Sequence, residues 1–238
     1  MNGLIAIIAI VAILLVAGTA LGLIRRDRFS LRWLLVAAAL VFVNDLLLTR
    51  GYGLIPRVLA DSDWNWEGKA LALLATLAIA ALPAFGWRRV GLTLRQEPGS
   101  LKAAIPVALL YCAFFAALAL AFPGDAPDAE AVAFQLTMPG FEEEPFYRGI
   151  LLFALAQAFA GRVRFLGVDW HWGAILSCVM FGLAHAFGYS DGSFSFDPVI
   201  MALTAIPSLL AIWLVLRTRS LLLPVLLHNF GNAIGYLL

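Results

Sequence analysis

The chain has 238 residues, 63% of them apolar and 13% charged, with a formal net charge of +1. A soluble domain of this size cannot hide so much apolar surface in one core, whereas a bilayer replaces water around the outward faces. The near-neutral charge excludes nucleic acid as the main partner. Cys112 and Cys178 both fall in apolar runs and read as small core residues, not as a disulfide or metal framework.

Each transmembrane helix needs about 20 apolar residues. Runs of that kind lie near residues 3–24, 31–48, 70–87, 101–122, 143–161, 171–188, 198–216 and 220–238. They predict an all-α, polytopic membrane bundle of about eight transmembrane helices, since unpaired backbone groups exclude open strands from lipid. The first run lacks a basic leader and reads as a retained helix. Gly18 and Gly22 within it form a small-xxx-small pair suited to helix packing. Asn44 and Asp45 are a polar pair inside the second run, read as a structural hydrogen-bonding site.

Charge alternates with the runs. Arg25, Arg26, Arg28, Arg32, Arg88, Arg89, Arg95, Lys102, Arg162, Arg164, Arg217 and Arg219 fall on one side; only Arg50, Arg57 and Lys69 fall on the other. The loop from Pro123 to Phe141 carries Asp125, Asp128 and Glu130 and no cation. The positive-inside rule then places both termini outside the cytoplasm.

Three polar groups interrupt the later runs. Glu142-Glu143-Glu144-Pro145-Phe146-Tyr147-Arg148 opens the fifth, where Pro145 and the acids suit a helix start and Glu144 and Arg148 are spaced for an i,i+4 ion pair. Phe181 and His185 share a face late in the sixth, and His228 and Asn232 share one in the eighth. Each alone reads as capping or interhelical hydrogen bonding. The alternating topology brings Glu143, His185, His228 and Asn232 to one layer near the extracytoplasmic side. His171, between Trp170 and Trp172, reads as an interfacial anchor.

The pattern Glu-Glu-x-x-x-Arg, Phe-x-x-x-His, His-x-x-x-Asn resembles the CPBP (CAAX protease and bacteriocin-processing) intramembrane proteases, which include the type 2 CAAX prenyl endopeptidases. Glu143, Glu144 and Arg148 match the first motif, Phe181 and His185 the second, His228 and Asn232 the third. The resemblance covers roughly residues 90–238, which divides the chain into N-terminal helices 1–90 without a catalytic motif and a core at 91–238. It implies peptide-bond hydrolysis of glutamate type without a cofactor. In that mechanism Glu143, helped by His185, activates water, while His228 and Asn232 stabilise the oxyanion. Glu144 and Arg148 orient the first motif, and Phe181 packs the site. A zinc site on Glu143, His185 and His228 is the competing chemistry. A transporter or proton-coupled protein, or a non-catalytic bacteriocin-immunity protein, is the competing function. The expected partner is a membrane-associated protein or peptide substrate in a bacterial plasma membrane. The charge bias opens the site away from the cytoplasm, where a C-terminal sorting segment or a secreted precursor fits better than a prenylated tail.

Overall fold

A computed structural model describes residues 2–54, 62–123 and 128–238; Arg57 and Asp125 of the charge count lie outside the described residues. The chain is an all-α membrane bundle, and each of the eight apolar runs coincides with helix. The elements are α1 (Asn2–Ile24), α2 (Leu31–Thr49), α3 (Trp66–Ala81), α4 (Leu101–Ala121), α5 (Ala129–Gln135) and α6 (Met138–Glu143). A π-helical segment (Glu144–Leu151) leads without a break into α7 (Leu152–Ala158), followed by α8 (Trp172–Ala186), α9 (Pro198–Thr218) and α10 (Leu222–Leu237). Among the described residues, α1, α2, α4 and α9 are each long and apolar enough to cross a membrane alone. The 16-residue α3, 15-residue α8 and 16-residue α10 are shorter. At ~1.5 Å per residue they fall short of the ~30 Å hydrocarbon layer.

Two antiparallel hairpins, absent from the expected architecture, flank α8. β1 (Val163–Phe165) pairs with β2 (Val168–Trp170) before α8, and β3 (Phe187–Ser190) with β4 (Ser193–Phe196) after it. Neither strand pair can be read from periodicity, because each strand is only three or four residues long.

The fifth helix differs most from expectation. It begins at Met138, with Pro139 in the first turn, so Glu142, Glu143 and Glu144 are not a solvated helix start. They lie a turn and more inside, at 0%, 9% and 1% exposure. Pro145 has no amide hydrogen to donate, and the wide π turn accommodates that loss within a continuous helix.

Small residues set the close approaches. A Cβ on Gly18 would come within 2.7 Å of the Leu34 side chain, and one on Gly22 would strike the Phe29 ring. The small-xxx-small pair is therefore used inside the chain, to seat α1 on α2. Gly91, at φ +78°, has its carbonyl accept from the Leu221 amide at 2.9 Å, tying the loop before α4 to the start of α10. His171 is buried, and its Nδ1 accepts from the Ala174 amide at 3.2 Å; it caps α8 and is not an interfacial anchor.

Candidate active site

Three helices bring the polar groups together. On the side of α6, the Gly140 amide donates to Asn229 Oδ1 at 2.7 Å, and a Cβ on Gly140 would meet the Val225 carbonyl at 2.7 Å. That close contact presses α6 against α10 and sets Glu144 beside His228. Nδ1 of His228 lies 2.6 Å from Glu144 Oε1. A carboxylate only accepts, so Nδ1 carries the hydrogen and Nε2 faces away from Glu144.

Arg148 closes the other side of Glu144. Its Nη1 is 3.2 Å from Glu144 Oε1, an ion pair at the expected i,i+4 spacing but without hydrogen-bond alignment. Nη2 of Arg148 donates to Ser208 Oγ on α9 at 2.9 Å, and its guanidinium stacks 4.0 Å above the Phe181 ring. Phe181 in turn lies 4.6 Å from the His185 ring, centroid to centroid. His185 Nδ1 is 2.8 Å from the Phe181 carbonyl, which also only accepts. The hydrogen is therefore on Nδ1, and Nε2 is turned toward Glu143.

Glu143 is the meeting point. Its Oε2 lies 3.9 Å from His185 Nε2 and 3.6 Å from His228 Nε2, and makes no hydrogen bond. These separations are too long for direct hydrogen bonds. They match two groups addressing a third between them. Asn232 stands apart from this contact. Its Nδ2 donates to Gln135 Oε1 at 3.2 Å, and it shares with His228 and His185 a cavity of about 250 Å³ that Tyr111, Phe115 and Leu203 also line.

Two partners were not legible as site residues. Lys69 Nζ lies 2.6 Å from Glu143 Oε1 and 2.9 Å from Glu142 Oε2. Asn44 Nδ2 donates to Glu142 Oε1 at 3.3 Å. Asn65 places Lys69: its side chain caps α3 through the Gly68 amide at 3.0 Å and donates to the Leu48 carbonyl of α2 at 2.8 Å. In the charge bias Lys69 counts only as a loop cation. The available signal is its position, since a cation in the first turn of a helix opposes the helix dipole unless an anion offsets it. Lys69 and Arg148 are the two side-chain cations set against the three carboxylates.

Residues 127–234 match the family model described as type II CAAX prenyl endopeptidase Rce1-like. That stretch contains all three motifs and bears out the resemblance they carry. The similarity is to a family of membrane-embedded proteases, is confined to that stretch, and says nothing of α1–α3. Neither the comparison with curated proteins nor that with solved structures found a match.

Proposed function

We propose, from the similarity of residues 127–234 to the Rce1-like family, that the chain is an intramembrane endopeptidase of glutamate type. The observation that carries this is the pair of hydrogen-bond acceptors, Glu143 Oε2 and His185 Nε2, held 3.9 Å apart. A water donating one O–H to each fits between them and is polarised by both. As its oxygen attacks the scissile carbonyl carbon, one proton passes to Glu143. Collapse of the tetrahedral intermediate breaks the C–N bond, and that proton moves to the leaving amine.

The oxyanion needs donors. When His228 carries hydrogen on both ring nitrogens, Glu144 holds its Nδ1–H and leaves Nε2–H free to donate. His228 Nε2–H then becomes the first oxyanion donor. Asn232 is the second, once its amide turns from Gln135 to substrate in the shared cavity. Glu144 and Arg148 hold His228 in place, and Phe181 bears on both His185 and Arg148. Lys69 keeps Glu143 in position and compensates its charge. A cation 2.6 Å from Glu143 also opposes a second cation on the same carboxylate, which favours the metal-free chemistry over zinc.

The substrate is a membrane-associated protein or peptide precursor, cut near the membrane surface. The charge bias favours an extracytoplasmic opening and hence an exported substrate over a prenylated cytosolic tail. The test is cleavage of a membrane-anchored reporter library by the purified protein, beside Glu143→Gln, with and without a strong zinc chelator. Cleavage that requires Glu143 and persists with the chelator is expected. Loss with the chelator moves the mechanism to zinc, and full activity of Glu143→Gln removes Glu143 as the base.

A further inference from the structure

The Glu143–His185 contact has two sides. On one lies the cavity with His228, Asn232, Glu144 and Arg148, which Glu143 itself does not line. On the other lies a second cavity of about 250 Å³ between α1, α2 and α8, which Glu143 and Glu142 line and His228 does not. His185 belongs to both.

The second cavity has polar groups of its own. Asn44, Asp45 and Thr49 enter it from α2, whereas Ile7, Ile10 and Met180 supply apolar wall. Asp45 has no part in the proposed reaction. It is half-buried in a helix apolar enough to span a membrane, with Thr49 and Arg50 at the helix end as its polar neighbours, and among the described residues no salt bridge pairs it directly. A carboxylate at membrane depth that no cation pairs directly is costly unless it faces water. At about 30 Å³ per molecule, the cavity has room for several waters with three or four polar partners. An intramembrane hydrolase also consumes one water per bond cut, in a medium that excludes it.

We propose that this cavity is an aqueous access to Glu143, separate from the substrate cavity, with Asp45 holding its water. Two of the N-terminal helices, which lie outside the family match, then serve the base directly. Through Lys69, α3 clamps it; through Asp45, α2 hydrates it. The proposal rests on Glu143 being the base, but its first test does not.

In a background with Cys112 and Cys178 replaced, Asp45→Cys and Val43→Cys are compared in proteoliposomes for reaction with a charged, water-soluble methanethiosulfonate. Val43 is two residues away on the same helix and exposed on the bundle's outer surface. Asp45→Cys is expected to react at least tenfold faster. Equal rates would overturn the access, whether or not any cleavage is found. Where cleavage is found, Asp45→Leu is expected to lower kcat about tenfold with KM unchanged, and Asp45→Asn to retain most activity. A rise in KM at constant kcat instead makes the cavity a substrate subsite and overturns the proposal. If the wild type cleaves nothing while Asp45→Cys reacts fast, the aqueous cavity stands and the protease reading falls.

Discussion

Glu144 and Glu143 are neighbours in sequence, yet they depend on different halves of the molecule. Glu144 is paired through one oxygen with Arg148 and His228, both within residues 127–234 and both named by the motifs. Glu143 faces His185 and His228 with one oxygen but is held by Lys69 with the other. Its neighbour Glu142 depends on Lys69 and Asn44, again from the N-terminal half. The imidazole-orienting part of the site is thus self-contained. The proposed base is completed by helices that carry no motif.

Substitutions can test whether that division is real. The largest effect is expected from Glu143→Gln, which should lower kcat by about 10²–10⁴-fold, as loss of a general base does. Its thermal unfolding midpoint in detergent should stay near wild type, because the amide still fills the space. Lys69→Met should be the most damaging change outside the motif half. It leaves two buried carboxylates without their cation, a loss of the order of 3–5 kcal/mol for a broken buried pair. Chemical denaturation in mixed micelles reads it out, and a wild-type midpoint would show that α3 does not support the base. Arg148→Ala belongs to the same range for the self-contained half. The double variant Arg148→Ala/Glu144→Gln should regain part of the loss, since it removes the stranded charge as well. Asn44→Leu removes one donor from Glu142 and should cost ~1–3 kcal/mol. Asn65→Ala, which loosens the cap that places Lys69, should cost ~1 kcal/mol; a larger fall in kcat than in stability would show that Lys69 must be placed accurately for cleavage.

The same division explains what could be read from residues alone. Helix existence follows from apolar runs that lipid demands, and each of the eight runs overlaps a helix, four of them long enough to cross a membrane alone. Apart from Glu143, the motif residues are legible because they recur at i,i+4, so spacing reveals which share a face. Lys69 and Asn44 meet Glu142 from 73 and 98 residues away, and no local spacing encodes such a contact. The start of the fifth helix was misplaced because Pro139 and Pro145 give the same start signal six residues apart. Acids following the first proline by only three residues resemble a cap unless their buried partners are known. The hairpins and α5 are shorter than the period needed to detect them. α5 is instead fixed by tertiary contacts, with Phe134 stacked on Trp64 and edge-on to Trp66 at centroid distances of 4.7 and 5.0 Å.

The π-helical segment from Glu144 to Leu151 gives its helix two angular settings. An α-helix of uniform pitch locks the direction of every side chain to every other, at ~3.6 residues per turn. Under that constraint, re-aiming the three glutamates would also rotate Leu152, Ala154 and Leu155, which are buried in the packed core. The wide turn acts as a phase shifter between the two ends. The acidic end can be aimed at α2, α3 and α10 while the apolar end keeps its register against α8. Deleting one residue within the segment would restore a single phase and turn one end by roughly 100° relative to the other, as one residue of a ~3.6-residue turn requires. The site's aim and the core's packing are therefore independently adjustable within one continuous helix.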